Sequence, residues 1–242
     1  MAHTEFKQTN CTGEVMNKVT LKNVASLLLG ATVGAITLPV LGDVVYENTS
    51  NKLNQVYAPG GQVEFGDEIK LGGTMRTLST FTFEYFLNNA SGNEFIRLRL
   101  YNNDGTLAPG VGVPSPGSLI YDFGFEHIDP TPNNDGLTLK FTFPANIVVP
   151  DDFTWTVSFL GIATGETAGL ELYNGITTGN GYDDFWEKNP STGAWELKSG
   201  PVPMNFGALV EAVPEPTPLM IGLVAGLLML GVRTYRRKLA KA

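Results

Sequence analysis

The sequence has few of the residues that build covalent or metal-centred sites. Of its 242 residues, one is a cysteine, Cys11, and two are histidines, His3 and His127. Because Cys11 and His3 precede the central segment, residues 43–212, that segment has no thiol and a single imidazole. A disulfide framework, a cysteine nucleophile and a histidine-rich metal site are therefore excluded there, and packing alone must hold the fold together.

Catalytic sequence motifs are missing as well. The central segment contains neither a Gly-x-Ser-x-Gly nor a phosphate-loop motif, and no part of it shows the 3.6-residue apolar period of a surface helix. Paired carboxylates could hydrolyse a glycoside, but among 21 acidic residues some pair lies close by chance alone. We therefore expect a protein that is not an enzyme.

Positive charge is scarce in the central segment. Residues 43–213 contain 21 Asp and Glu against 8 Lys and Arg, a net charge of −13, whereas the formal charge of the whole chain is −8. Such an acidic segment disfavours nucleic acid as a partner and, through bulk charge, anionic polysaccharide. It is compatible with solubility outside the cell and with binding of divalent cations.

Alternating apolar and polar residues are abundant instead. They predict strands at residues 44–46, 63–65, 69–71, 80–87, 96–100, 119–123, 137–143 and 153–159, and weaker strands at 170–173, 184–187, 195–198 and 206–210. The pair Gly66-Asp67 predicts a turn. About nine to eleven short strands with Gly, Pro, Asn and Asp between them predict an all-β fold, an antiparallel β-sandwich that is jelly-roll-like. One apolar face on each alternating strand is what two packed sheets require.

Residues 1–42 have the order of a secretory signal peptide. A basic stretch precedes an uncharged and mostly apolar run at 24–41, and the small residues Val40 and Gly42 come before Asp43. Signal peptidase would therefore cut between Gly42 and Asp43.

A second start codon and a second interpretation remain open for this segment. Met16 offers a start that shortens the polar leader, and we favour it. The alternative to cleavage is a permanent anchor helix, which Gly30, Gly34 and Pro39 disfavour.

Residues 213–242 consist of three successive parts. A proline-rich motif comes first, an uncharged run of 14 residues at 219–232 follows, and a basic cluster ends the segment. The prolines keep the motif extended, and the apolar run predicts a transmembrane helix, short against the roughly 20 residues of a full span. The basic residues would stay in the cytoplasm. The motif is Val213, Pro214, Glu215 and Pro216, and the basic cluster is Arg233, Arg236, Arg237 and Lys238.

This order resembles the PEP-CTERM sorting signal of Gram-negative bacteria. The resemblance implies that an integral-membrane exosortase recognises the segment and cuts near Pro214-Glu215-Pro216. The protein would then pass to the cell surface or the exopolysaccharide matrix. The alternative is an ordinary tail anchor behind a proline-rich linker.

The central segment is similar to the β-rich bodies of a group of PEP-CTERM proteins of uncharacterised function. That similarity covers nearly the whole segment and brings no catalytic residue with it. The stretches that carry it are 65–69, 97–101, 149–157, 182–186, 195–197 and 205–208.

Two interpretations fit a group of aromatic and acidic residues late in the chain. The rings could close one end of the core, which we favour, or they could be exposed and stack on sugars while carboxylates bind hydroxyl groups. The residues concerned are Trp186 and Trp195, with Tyr182 and Phe185 beside them, and Asp183 and Asp184.

Acidic pairs at 67–68, 151–152 and 183–184 raise the question of Ca²⁺. Pairs from different loops at one end of a sandwich could share the ion, and Asp183 and Asp184 are the best candidates. We expect no metal and no other cofactor, and a Ca²⁺ site at these residues is the alternative.

Taken together, these patterns predict an exported surface or matrix protein whose body is structural and non-catalytic. The alternative is a carbohydrate-binding module retained at the surface or in the matrix. The partners expected are signal peptidase, an exosortase-type enzyme, the membrane and exopolysaccharide, and not nucleic acid.

Overall fold

A computed structural model describes residues 42–130 and 136–215. This part of the chain is all-β, with 14 strands and no helix, so no helix there is long and apolar enough to cross a membrane. In chain order the strands are β1 (Asp43–Glu47), β2 (Lys52–Tyr57), β3 (Phe65–Lys70), β4 (Thr77–Asn88), β5 (Phe95–Asn102), β6 (Leu119–His127), β7 (Leu137–Thr142), β8 (Asp152–Leu160), β9 (Thr167–Tyr173), β10 (Asn180–Gly181), β11 (Asp184–Lys188), β12 (Trp195–Ser199), β13 (Asn205–Phe206) and β14 (Ala208–Val213).

The strands form two antiparallel sheets of seven strands each. In sheet A, β14 lies between β1 and β4, β7 pairs with the other side of β4, and β9 joins the end of β4 to β13 and β2. In sheet B the order is β12-β11-β3-β8-β5-β6, with β10 paired to the end of β3. Each strand therefore has one face toward the opposite sheet and one face outward.

The hydrophobic core lies between the two sheets, as in a β-sandwich. The alternation predicted for residues 80–87 is confirmed, because Phe81, Phe83, Tyr85 and Leu87 of β4 are all buried in this core. Trp155 of β8 faces them from sheet B, with its ring centroid 5.1 Å from that of Phe81 and 5.5 Å from that of Phe83. Aromatic rings on both sheets thus fill the layer between them.

The predicted turn at Gly66-Asp67 is wrong, because β3 continues through both residues. A Cβ added to Gly66 would lie 1.9 Å from the backbone oxygen of Trp155 on the neighbouring strand. Gly66 is therefore required by the close approach of two strands and not by a reversal of the chain. Asp67, the next residue, is fully buried on the inner face.

Other strands differ from the prediction in number and extent. The polar residues 52–57 form β2, which was not predicted and is irregular, with Asn54 at a φ of 54° and a shift of register between Lys52 and Val56. The strand predicted at 206–210 is two strands, β13 and β14, which pair with different partners. Most of the remaining predicted strands are confirmed within one to three residues at their ends.

The first and last described strands lie side by side. Asp43 of β1 pairs with Ala212 of β14, and Val213 pairs with Thr77 of β4. The start of β1 and the end of β14 are therefore at the same end of sheet A.

Candidate functional site

A groove of about 390 Å³ opens on the outer face of sheet B. Alternation along β5 explains its charge, because Ile96, Leu98 and Leu100 enter the core and leave Arg97 and Arg99 outside. The turn between β11 and β12 and the segment before β3 supply further walls. The polar and aromatic lining residues are Gln62, Glu64, Arg97, Arg99, Phe125, Ser158, Phe159, Lys188 and Asn189.

Glu64 is the buried carboxylate of the groove, with 6% of its surface exposed. Its Oε1 accepts hydrogen bonds from Tyr101 Oη at 2.9 Å and Thr156 Oγ1 at 2.8 Å. Its Oε2 accepts one from Arg99 Nη1 at 2.7 Å and lies 3.5 Å from Lys188 Nζ. Burial and the charge of Glu64 raise the pKa of Tyr101, so its phenol remains a donor. Three hydrogen bonds and one ion pair thus satisfy the buried charge.

Asp122 on β6 holds both arginines of the groove. Arg97 donates from Nε to Asp122 Oδ1 at 2.8 Å and from Nη2 to Oδ2, and Arg99 Nε donates to Oδ2 at 3.3 Å. The hydrogen bonds from Arg97 lower the pKa of Asp122 to about 2. The carboxylate is therefore ionised at every physiological pH, and the two guanidinium groups are held in fixed positions.

Two aromatic rings flank these charges. Phe125 on β6 is 42% exposed, and Arg97 Cζ lies 5.3 Å from its ring centroid. Trp195 on β12 is half-buried, with Lys188 Nζ 5.2 Å from its ring and the ring of Tyr101 at 5.8 Å. Cations placed over ring faces are stabilised there, so the rings help to fix Arg97 and Lys188.

The sugar-stacking interpretation of Trp186 is wrong. This residue has no exposed surface and therefore cannot stack on a ligand. It lies on β11 directly opposite Gly66, which has no side chain to occupy that part of the face. Trp186 is accordingly buried on the outer side of sheet B and is not a member of the core between the sheets.

Asp183 and Asp184 lie toward the opposite end of sheet B from the groove. Asp183 is exposed and its Oδ1 accepts a hydrogen bond from Asn205 Nδ2 at 3.3 Å. Burial and the charge of Asp183 raise the pKa of Asp184. Over residues 42–130 and 136–215, no three or more His, Cys, Asp or Glu side chains are grouped so as to hold a metal ion.

The same end of the outer face carries further negative charge. Burial raises the pKa of Glu68, and the charges of Asp152 and Asp184 raise it further. Lys70 pairs with Asp152 at 3.3 Å, which leaves this end with an excess of negative charge, whereas the groove at the other end has an excess of positive charge.

Part of the predicted sorting segment can be located. Gly42 and Asp43 are at the start of β1, while Pro214 and Glu215 are exposed just after Val213 ends β14. The other predicted processing and membrane elements lie outside the described residues. These are residues 1–41, Pro216, the apolar run 219–232, and Arg233, Arg236, Arg237 and Lys238.

Comparisons with known proteins found no match: no protein-family model, no curated protein and no solved structure resembles the chain.

Sequence reasoning did not single out the groove. The alternation of β5 places Arg97 and Arg99 on the outer face and is the signal that could have drawn attention to them. Their partner Glu64 precedes β3, and Lys188 ends β11, so both are distant in sequence. Which strands are neighbours cannot be read from the pattern of one strand.

Proposed function

We propose that the chain is an exported cell-surface or exopolysaccharide-matrix protein of a Gram-negative bacterium, delivered by a PEP-CTERM-type signal. The support is the order of motif, uncharged run and basic cluster in residues 213–242. Signal peptidase and an exosortase-type membrane enzyme are its processing partners in this proposal. The C-terminal apolar run anchors the protein in the membrane, at least until the second cut.

The main support for the proposal is the position at which the first strand, β1, begins and the last strand, β14, ends. β1 starts at Asp43, directly after the expected signal peptidase site, and β14 ends at Val213, directly before Pro214. Cuts at these two places would leave all 14 strands whole. A cut inside β14 would instead remove Val210 or Ala212, both fully buried in the core.

We further propose a jelly-roll-like body with a structural, non-catalytic role. The strand order β1-β14-β4-β7 in one sheet and β3-β8-β5-β6 in the other supports two interlocked Greek keys, with β9 to β13 as an insertion. The carboxylate of Glu64 is held by three hydrogen bonds and one ion pair, which favours a binding or structural role for the groove over proton transfer.

A second candidate function is a carbohydrate-binding module on the same sorting device. The outer-face groove favours it, because charged groups there lie beside the exposed ring of Phe125. In this candidate function Trp195, which is half-buried, can contact the sugar, whereas the fully buried Trp186 cannot.

The sorting proposal is tested by the intact mass of the protein from cells and from the extracellular matrix. We expect a matrix species that begins at Asp43 and ends between Val213 and Pro216. A variant in which Pro214, Glu215 and Pro216 are all alanine should remain in the membrane fraction at the uncut mass. Pro201→Ala, in an exposed loop before β13, is the matched control and should be processed normally.

Retention of the C-terminal tail would overturn the proposal. If the wild-type protein keeps Arg236 and Lys238 and stays in the membrane fraction, it is a tail-anchored surface protein. Normal processing of the triple alanine variant would also overturn the proposal, because the enzyme would then not recognise Pro214-Glu215-Pro216.

A further inference from the structure

The groove on sheet B concentrates positive charge in an acidic body. Residues 43–213 contain eight Lys and Arg, and three of them, Arg97, Arg99 and Lys188, line this one groove. The two carboxylates that contact them, Glu64 and Asp122, leave one positive charge in excess. A local excess of this kind attracts an anionic group even where the net charge of the protein is strongly negative, because salt screens distant charges beyond about 8 Å at physiological ionic strength.

Hydrogen-bond donors remain after the internal contacts are made. A guanidinium group has five N–H donors. Arg97 uses Nε and Nη2, so its Nη1 has no hydrogen-bond partner in the described part of the chain. Arg99 uses Nε and Nη1 and also hydrogen-bonds Tyr101, so its remaining donors are fewer. The side chain of Lys188 is 37% exposed. Glu64 and Asp122 hold these side chains in place, so the side chains lose little conformational entropy when a ligand binds.

The rest of the lining fits a sugar ring. Its volume of about 390 Å³ lies within the roughly 300–1,000 Å³ of small-ligand sites. Phe125 provides a partly exposed apolar ring, and Gln62 and Ser158 provide groups that hydrogen-bond hydroxyls. We propose that this groove binds the carboxylate and ring of a uronic acid unit in an extracellular polysaccharide.

The choice of a polysaccharide rests on the proposed export, whereas the preference for a carboxylate rests on the groove itself. Glu68 and Asp184 at the far end of the face oppose a densely charged chain that continues along the sheet, because Lys70 neutralises only Asp152 there. The groove therefore binds a short segment of acidic sugar. Calculated per uronic acid unit, its affinity is higher for a polysaccharide in which these units are sparse than for one in which every sugar is charged.

Binding is measured with the full chain in a mild detergent by isothermal titration calorimetry. The probes are oligogalacturonate and the same oligosaccharide as its neutral methyl ester. We expect oligogalacturonate to bind at least tenfold more tightly than the ester. Lys188→Gln and Arg97→Gln should each weaken oligogalacturonate binding about tenfold. Lys188→Gln leaves the contact between Arg97 and Asp122 intact, and thermal unfolding of each variant verifies that it is folded.

Lys140→Gln is the matched control, since Lys140 is exposed on sheet A and carries the same charge. It should change the affinity less than twofold. If all three variants lose the same affinity for oligogalacturonate, the effect comes from net charge alone and the proposal is wrong. The proposal is also wrong if the methyl ester binds as tightly as oligogalacturonate. If sodium sulfate competes as well as galacturonate at equal concentration, the groove is a general anion site and the sugar assignment is wrong. Because the assay uses purified protein, its result stands whether or not the sorting signal is cut.

Discussion

Replacing Asp67 by asparagine should change how the stability of the protein depends on pH. Asp67 is fully buried on the inner face of β3. Its Oδ2 accepts a long hydrogen bond of 3.4 Å from Phe206 N, and its Oδ1 has no hydrogen-bond partner in the described residues. Burial raises the pKa of this carboxyl well above its usual range, and the charges of Asp184 and Glu68 raise it further.

The direction of the effect follows from proton binding. In the unfolded chain an aspartate ionises near pH 3.9, whereas the folded carboxyl keeps its proton to higher pH. Between these two pKa values the folded state binds more protons, so the contribution of Asp67 is fully present below the unfolded pKa and is lost as pH rises through the window. The loss is about 1.4 kcal/mol per pH unit. Each pH unit inside the window therefore lowers the melting temperature by roughly 3–6 °C for a domain of this size.

Thermal unfolding of the full chain at pH 4.5, 5.5 and 6.5 measures this slope. Asp67→Asn cannot ionise, so the stability of the variant relative to the wild type should rise as pH increases from the unfolded toward the folded pKa of Asp67. Asp151→Asn, which removes an exposed carboxylate beside Arg76, is the control and should run parallel to the wild type. A difference between Asp67→Asn and the wild type that is the same at every pH would refute the reasoning.

Two further predictions concern packing and use urea unfolding. Gly66→Ala should cost about 3 kcal/mol or more, because the new Cβ would meet the backbone oxygen of Trp155. Gly92→Ala, where a Cβ meets nothing within 4 Å, should cost about 1 kcal/mol from its φ of 89°; equal costs would contradict the close-approach argument. Trp186→Ala should cost about 3–5 kcal/mol and Trp195→Ala roughly half as much, since the first ring is fully buried and the second is not. The reverse order would show that Trp195 is the residue on which the outer face depends.

The alternation of apolar residues was a good guide where a strand has one inner and one outer face. In β4 the inward positions follow the sequence pattern directly, and even Phe86, which interrupts the polar face, is buried. The same rule failed at β3, because Gly66-Asp67 has the composition of a turn. Its glycine is instead required by the neighbouring backbone, and the proximity of β8 is a property of the whole sheet.

The groove was less predictable than the strands. Arg97 and Arg99 could be assigned to an outer face from β5 alone, but Glu64 and Lys188 reach them through two other strands. The burial of Trp186 likewise depends on its pairing with Gly66, about 120 residues earlier in the chain. The alternation within a strand predicts the face of the sheet on which a side chain lies. The order of the strands in the sheet determines which residues that side chain contacts.

The position of β14 also determines when the fold can form. This strand lies between β1 and β4, and Asp43 pairs with Ala212, about 170 residues further along the chain. During synthesis β1 therefore waits without its partner until the body has been made almost to its end. Sheet A is therefore still incomplete when most of the chain has left the ribosome. It can be completed only when β14, which directly precedes Pro214, has been synthesised.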